Sequence, residues 1–348
     1  MQSRIDNLFR ELKGDGCVLI KSYPNIFYYS GFTSEDAFLL ILKDRRYIIT
    51  DSRYFIQARI ESPDFELVDI SKGWGYIFSL IPCDTIYFEE NRMSYGMYKR
   101  LSGNTKIEFC PSQAEIDKPR RIKDNEEIRL ISEAEKIGDE AFINLLEILR
   151  AGMTEREVAL ELEMRMKRQG ASDLSFDTIV ASGVRSSMPH GVASDKVIEK
   201  GDFVTLDFGC VYKGYCSDMT RTVIIGNPDS RQEEVYNLVL KAQKTAIDGL
   251  YNGIACSKAD KIARDAITEG GYGEYFTHSL GHSVGIEIHE LPNFSPKSVD
   301  ILENGNVLSI EPGIYIDGWG GVRIEDLIAV NDGKITNLSH SPKELVVI

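Results

Sequence analysis

The chain has 348 residues, 43% hydrophobic and 27% charged, with a formal net charge of −14 at pH 7. This length predicts two domains that each bury a core, and the composition is that of a soluble globular protein. The acidic balance argues against nucleic acid or an anionic membrane as a partner, and no apolar run approaches the roughly 18–20 residues that span a bilayer. Because the first residues predict an amphipathic helix rather than a secretory signal, we expect a cytoplasmic protein.

Helices and strands alternate in the first third of the chain. The predicted helices are 1–13 and 52–60, with a helical turn at 25–32, and the predicted strands are 16–20, 37–42, 46–50, 65–70 and 85–89. Such alternation predicts an α/β domain. A polar segment that contains Pro119 follows and marks a boundary. We therefore predict domains at residues 1–117 and 118–348.

Helical signals open the second domain. Asp124 predicts the N-terminal cap of a helix that runs to Arg150, and Thr154 opens a capping box for a helix at 155–169. Further helices are predicted at 231–250 and 257–270. Each half of this domain therefore consists of helices followed by a strand hairpin. This order predicts an α+β domain with an internal structural duplication.

Four acids and one histidine interrupt or end apolar runs in the second domain. They are Asp207, Asp218, His282, Glu311 and Glu325. A buried carboxylate without a partner is very costly, so five such interruptions indicate one shared partner. Divalent metal ions would serve all five residues. Any one of them could instead be a surface residue at a strand end or a salt-bridge partner.

The first two acids belong to one predicted hairpin. Residues 203–209 and 215–225 are predicted strands, and the midpoint between Asp207 and Asp218 falls on the bond that follows Tyr212. If the hairpin is symmetric about that bond, the two acids face each other across the strand pair. Opposed side chains on one face lie only about 5 Å apart, where like charges need a cation between them.

The last two acids repeat this arrangement. The midpoint between Glu311 and Glu325 is Gly318, within a glycine-rich turn. Two hairpins would then each supply a facing pair of carboxylates. Hard oxygen ligands with one imidazole suit manganese, cobalt, zinc or iron, and two such ions would activate a water for hydrolysis.

The segments around these residues resemble the motifs of the pita-bread metallopeptidases, which include methionine aminopeptidase, aminopeptidase P and prolidase. The matching segments are Asp207-Phe208-Gly209, Gly281-His282-Ser283-Val284-Gly285, Glu311-Pro312-Gly313 and Gly321-Val322-Arg323-Ile324-Glu325-Asp326. The resemblance covers about residues 120–348. It implies a pita-bread catalytic domain that binds two divalent ions, which we expect to be manganese, with Asp218 and Glu325 as the bridging ligands.

Two shorter segments, at residues 25–32 and 51–54, resemble the N-terminal domain of creatinases and prolidases. Methionine aminopeptidases usually lack this domain, so the resemblance favours the aminopeptidase P and prolidase branch. This branch implies short proline-containing peptides as substrates. We also expect a homodimer.

Three further histidines match family positions on the substrate side. The resemblance implies that His190 contacts the substrate or leaving group and that His289 stabilises the oxyanion of the tetrahedral intermediate. A positioned donor of that kind lowers the barrier by roughly 3 kcal/mol. His278 matches a histidine that lines the substrate side. The alternative for each is a buried histidine bonded to the backbone.

Three more residues receive roles from the same resemblance. Glu311 would shuttle a proton as well as bind metal, and Arg323 and Tyr315 match positions that orient a ligand carboxylate. Contacts of this second kind fix the geometry of metal ligands. The alternative for Arg323 and Tyr315 is ordinary strand packing.

The substrate is predicted to be a peptide with proline in the second position. Prolidases often carry an arginine, shortly after the position of His289, that holds the carboxylate of a dipeptide; this chain has Asn293 there. An amide cannot form such a charge-assisted pair, so we favour aminopeptidase P activity, with prolidase as the alternative. A metal-free creatinase-like hydrolase and a non-catalytic binding module are two further candidates from different classes. The complete set of five ligand residues argues against both.

Overall fold

The computed structural model describes residues 2–12 and 14–348, so both ends of the helix predicted at 1–13 lie outside the described residues. The chain divides into two compact units, Met1–Arg120 and Arg121–Ile348. Within the described ranges, no helix combines the length and the apolar character that crossing a membrane requires.

The first unit contains one mixed sheet with helices. Its strands are β1 (Cys17–Ile20), β2 (Phe38–Ile41), β3 (Arg46–Thr50), β4 (Glu66–Asp69), β5 (Thr85–Phe88) and β6 (Glu108–Pro111). Its helices are α1 (Gln2–Glu11), α2 (Tyr23–Ser30), α3 (Phe55–Glu61), α4 (Gly73–Ser79), α5 (Tyr95–Ser102) and α6 (Gln113–Asp117). The strand order is β4-β3-β2-β1-β5-β6. The central β1 is buried at every position, which is why it appears in the sequence as a continuous apolar run.

The predicted α/β alternation of the first unit is confirmed, although α4, α5, α6 and β6 were not predicted from the sequence. The short α4 contains Gly73 and Gly75, and glycine disfavours a helix interior. The α5 helix begins at Ser94, whose side chain accepts a hydrogen bond from the Met97 N–H. Helices of seven and eight residues show too few turns for a clear apolar period.

The second unit carries two helix pairs and several sheets. Its helices are α7 (Asn125–Leu146), α8 (Glu155–Arg168), α9 (Ser230–Asp248) and α10 (Cys256–Glu269). Its strands are β7 (Asp173–Leu174), β8 (Ile179–Ser182), β9 (Phe203–Phe208), β10 (Cys210–Tyr212), β11 (Tyr215–Cys216), β12 (Met219–Ile224), β13 (Gly281–Ser283), β14 (Glu290–Phe294), β15 (Val307–Ile310), β16 (Gly313–Ile316), β17 (Gly320–Arg323), β18 (Asp326–Asn331), β19 (Lys334–Asn337) and β20 (Val346–Val347).

Each half of the second unit packs a helix pair on a sheet. The four-stranded sheet has the order β20-β12-β9-β8, and α7 and α8 bury an apolar cluster against it that includes Phe142 and Leu162. The five-stranded sheet has the order β14-β13-β15-β18-β19, and α9 and α10 bury a second cluster that includes Val239 and Ala263. The predicted α+β organisation is therefore confirmed.

The caps predicted for α7 and α8 are present, but α7 is shorter than predicted. Both helices begin with complete capping boxes, at Asp124 and at Thr154. The prediction carried α7 to Arg150, whereas the helix ends at Leu146. The Leu145 carbonyl accepts the N–H groups of the third and fourth residues after it, so the chain tightens into a turn before Gly152.

The first hairpin has a different register from the predicted one. It turns at Lys213 and Gly214, whose φ angles of 48° and 86° are those of a two-residue type I′ turn. Asp207 therefore pairs with Thr220 and not with Asp218. The prediction placed the centre one bond too early. Asp218 itself lies in the gap between β11 and β12, immediately before β12 begins.

The second hairpin has the predicted register. β16 and β17 pair symmetrically about Gly318, which has a φ of 72°. β15 and β18 pair about the same centre. Glu311 and Glu325 occupy symmetric positions in the short gap between these two ladders.

Candidate metal centre and active site

One cavity of about 480 Å³ in the second unit brings most of the predicted site residues together. Its lining includes Asp207, Asp218, His282, Glu311, Glu325, His190, His278, His289 and Arg323. Tyr315 does not line the cavity but shares hydrogen bonds with two residues that do. Asn293 also lies on the wall, opposite His282 in the pairing of β13 and β14.

The centre of this cavity has the geometry of a metal site. Asp218, His282 and Glu325 each present one ligand atom, and these three atoms lie within 4.8 Å of one another. The Nε2 atom of His282 lies 3.4 Å from Asp218 Oδ2 and 3.5 Å from Glu311 Oε1. Asp207 lines the same cavity.

Several of these acids are buried close to one another, an arrangement that bound cations would stabilise. Burial and the neighbouring carboxylates raise the pKa values of Asp218 and Glu325 well above their usual range. Burial raises the pKa of Glu311 to about 7. Two buried carboxylate oxygens, Asp207 Oδ1 and Glu325 Oε1, have no hydrogen-bond partner among the described residues. Orphaned oxygens among crowded, buried acids fit divalent ions, which prefer such ligands.

His282 is held in the tautomer that a metal ligand needs. Its Nδ1 lies 3.3 Å from the Ser283 carbonyl oxygen, which can only accept a hydrogen bond. Nδ1 therefore carries the proton, and the lone pair of Nε2 faces the acids. Burial lowers the pKa of His282, which favours this neutral form.

Arg323 connects Asp207 to Tyr315, and through the hydroxyl of Tyr315 to His278. Its Nη2 donates to Asp207 Oδ2 at 2.7 Å, and its Nη1 donates to the Tyr315 hydroxyl at 2.8 Å. The Nε2 atom of His278 lies 2.9 Å from the same hydroxyl, while its Nδ1 faces the Ser279 carbonyl at 2.8 Å. Tyr315 thus accepts from arginine and donates to a neutral histidine. Burial lowers the pKa of His278 to about 4, in agreement with this assignment.

His190 and His289 both line the cavity. Both are exposed, so neither is the buried, backbone-bonded histidine of the alternative interpretation. The ring of His289 lies 4.3 Å from that of His282, and partial burial lowers its pKa. Their substrate roles stay predictions.

Three supporting residues were not predicted from the sequence. The Thr220 hydroxyl donates to Glu325 Oε2 at 2.7 Å and accepts from Arg323 Nε. The Ser309 hydroxyl donates to Glu311 Oε1 at 3.1 Å, and Glu135 accepts the Asp218 N–H at 3.2 Å. Thr220 and Ser309 each lie two residues from a candidate ligand, a spacing that in a regular strand would place both side chains on one face. This spacing was the available signal for both hydroxyls.

Comparison with known proteins agrees with this site. Residues 129–332 match metallopeptidase family M24, and residues 3–122 match the creatinase/prolidase N-terminal domain. An Xaa-Pro dipeptidase of Pyrococcus horikoshii is 40% identical over 97% of this chain and 96% of its own length. The solved structure of an Xaa-Pro dipeptidase from Bacillus anthracis is 43% identical with a TM-score of 0.95, covering 99% of both chains.

The structure of an X-Pro aminopeptidase from Thermotoga maritima is also similar, at 39% identity and a TM-score of 0.91, covering 97% of this chain and 99% of the other. These matches confirm the pita-bread catalytic fold and the creatinase-type N-terminal domain. They also confirm the prediction of a metal-dependent hydrolase, because the family match spans more than half of the chain. The chain belongs to metallopeptidase family M24.

Proposed function

We propose that this protein is an Xaa-Pro dipeptidase, which hydrolyses the bond between the first residue and proline in dipeptides. Two findings support the proposal: the acid-lined cavity and the full-length similarity to proteins named Xaa-Pro dipeptidase. This corrects the preference for aminopeptidase P, which rested on Asn293 alone.

Two divalent ions, manganese in our proposal, would be held by the five predicted ligands. The ligands are Asp207, Asp218, His282, Glu311 and Glu325. When bound, the ions would polarise the scissile carbonyl and supply an activated water. The orphaned oxygens of Asp207 and Glu325 support this assignment.

The chain's own residues would bind the substrate and move protons. Glu311 would carry a proton from the attacking water to the leaving imino nitrogen, with its carboxylate oriented by the Ser309 hydroxyl. His289 would donate a hydrogen bond to the developing oxyanion. His190, which lines the cavity, would contact the proline end of the substrate. His278 would act through Tyr315 and hold the arginine that orients Asp207.

The peptide bond before proline is a tertiary amide without an N–H, and proline restricts the residue that precedes it. A site for this bond needs an apolar wall for the pyrrolidine ring. The cavity offers one, formed by Phe176, Ile179, Val192 and Ile288. These side chains would exclude water from the ring.

A second candidate function is aminopeptidase P activity on longer peptides. The observation that favours it is Asn293, which lies on the cavity wall and offers no positive charge for a dipeptide carboxylate. In a longer peptide that carboxylate is replaced by a peptide bond. The similar X-Pro aminopeptidase of Thermotoga maritima belongs to the same fold.

The deciding experiment compares hydrolysis of Ala-Pro and Ala-Pro-Ala after addition and after removal of manganese. A dipeptidase should cleave Ala-Pro with the higher kcat/KM, and only when metal is present. The reverse preference would establish the aminopeptidase. Absence of stoichiometric metal in elemental analysis, or full activity of Asp218→Ala, would contradict both metallopeptidase assignments.

We further propose that the enzyme is a cytoplasmic homodimer with domains at 1–117 and 118–348. Sedimentation of the purified full chain tests the dimer, and cell fractionation tests the location. A monomer that retains full activity would contradict the proposed homodimer.

A further inference from the structure

Two acid–arginine pairs, each with a buried carboxylate and a partly exposed guanidinium, contact the loops that carry His190 and His278, one pair in each half of the second unit. The first clamp is Glu155 with Arg185, whose closest atoms are 3.0 Å apart. The second clamp is Asp260 with Arg264, at 2.8 Å. Both acids lie in the second helix of a helix pair, and both are almost completely buried.

In the first clamp, Glu155 joins three segments of chain. Its Oε1 accepts hydrogen bonds from the Ser182 N–H at 2.7 Å and from the Ser182 hydroxyl at 2.9 Å. Its Oε2 accepts from the Ser194 hydroxyl at 2.6 Å and from the Ser194 N–H at 3.1 Å. Ser182 ends β8, and Ser194 follows the loop that contains His190. One carboxylate thus closes both ends of that loop.

Arg185 extends this clamp into the loop itself. Its Nη2 donates to the Val192 carbonyl oxygen at 2.8 Å. On the other side, Arg323 Nη1 donates to the Pro189 carbonyl oxygen at 3.3 Å. His190 lies between these two carbonyls, so two guanidinium groups bracket it.

The second clamp acts on the loop before β13. Arg264 forms a bidentate pair with Asp260, through Nε at 2.8 Å and Nη2 at 2.9 Å. The same guanidinium donates to the Phe276 carbonyl oxygen at 2.9 Å and to the His278 carbonyl oxygen at 2.8 Å. Asp260 also accepts the Leu280 N–H at 3.0 Å. His278 is therefore fixed at its own backbone and on both sides.

We propose that the two clamps are positioning devices for His190 and His278 and set where these imidazoles meet the substrate side of the cavity. The proposal rests on the proposed function of that cavity. A role in stability alone does not account for where the remaining N–H groups of the two arginines point. Here each arginine directs its remaining N–H groups to carbonyl oxygens of a histidine loop, a geometry suited to planar, forked donors.

Double-mutant cycles test which histidine each clamp serves. Arg185→Met and Arg264→Met are each combined with His190→Ala and with His278→Ala, and kcat and KM are measured for Ala-Pro. Each arginine variant alone should lower kcat/KM by about 10- to 100-fold, the effect of a displacement on the order of 1 Å. Arg185→Met should have almost no further effect on kcat/KM in the His190→Ala background, and Arg264→Met almost none in the His278→Ala background. Each arginine variant should keep its full effect in the background that lacks the other histidine.

The matched control is Arg165→Met. Arg165 pairs with Glu161 at 3.3 Å, and its side chain is 23% exposed, close to the 26% and 27% of the two clamp arginines. This pair lies on α8 away from the histidine loops, so the control should leave kcat/KM unchanged. Equal losses for the control and the clamp variants, or full losses in every histidine background, would overturn the proposal.

A spectroscopic measurement separates this proposal from the proposed function. The chain has five histidines, so their imidazole NMR signals can be assigned with single alanine variants of the full chain, with zinc present because zinc is diamagnetic. Arg185→Met should shift the signals of His190, and Arg264→Met those of His278, whether or not Ala-Pro is a substrate. Shifts in neither signal, or equal shifts in all, would refute the clamps even in an active enzyme. If a methionine variant does not fold, the lysine variant keeps the charge but not the fork and should give the same pattern.

Discussion

Replacement of Arg323 by methionine should destabilise the metal-free protein far more than the metal-loaded protein. The buried guanidinium donates to Asp207 Oδ2 at 2.7 Å, to the Tyr315 hydroxyl at 2.8 Å and to the Thr220 hydroxyl at 3.0 Å. Without it, the Asp207 carboxylate loses its cationic partner inside the protein. Breaking a buried pair in this way costs about 3–5 kcal/mol of the free energy of unfolding.

In the metal-loaded protein the same variant should lose less. Asp207 then keeps a positive partner, and the other groups that lose a hydrogen bond are neutral: the hydroxyls of Tyr315 and Thr220 and the Pro189 carbonyl oxygen. An unsatisfied buried group of this kind costs about 1–3 kcal/mol. The difference between wild type and Arg323→Met should therefore shrink when metal is saturating.

Urea unfolding with and without a chelator measures both differences. The chain has two tryptophans, Trp74 in the first unit and Trp319 in the second, so Trp319 fluorescence in a Trp74→Phe background reports the second unit. Tyr315→Phe is the matched control, because it removes one hydroxyl from the same network. It should cost about 0.5–1.5 kcal/mol in both states. An equal loss for Arg323→Met with and without metal would refute the reasoning.

Three other predictions follow from the site. The metal-free protein should lose stability as pH rises from about 4 to above 7. Burial raises the folded-state pKa of Glu311 from 4.5 to about 7, so in that window ionisation is less favourable in the folded than in the unfolded state. Urea midpoints that rise with pH over this range would contradict the prediction. His289→Ala should lower kcat by about 100-fold while elemental analysis shows unchanged metal content, whereas parallel losses would identify a ligand or folding residue. Asn293→Arg should raise kcat/KM for Ala-Pro but not for Ala-Pro-Ala, and an equal rise for both would argue against a carboxylate anchor.

The sequence predicted the chemistry of the site better than its strand register. An acid that ends an apolar run is visible without any structure, and so is a capping box such as the one at Thr154. The centre of a hairpin depends on which residues adopt left-handed φ angles. Glycine at position 214 was a clear candidate, but Lys213 also takes this conformation, which a lysine rarely does. The register of the first hairpin could therefore not be fixed from residue types.

Supporting residues that come from distant parts of the chain could not be predicted from local sequence patterns either. Thr220 lies two residues after Asp218, a spacing that in a regular strand would place both side chains on one face. The contact of Glu135 with the Asp218 N–H joins a helix to a strand end that is 83 residues away. Only the packing of α7 against the first hairpin brings these groups together. The same holds for the clamps, whose loops are closed by residues on other elements.

The sequence pattern of the acids can be compared with the places where the strand pairing is interrupted. Three of the candidate ligands lie in gaps between strands rather than within them, and their N–H groups donate outside the hairpin ladders, as seen for Asp218 to Glu135, Glu311 to Leu280 and Glu325 to Thr220. A regular strand would direct alternate side chains to opposite faces. A break lets the chain turn each carboxylate toward one cavity while its backbone stays satisfied. Three of the four candidate acids are thus at positions where the strand ladders are interrupted, whereas Asp207 lies within β9.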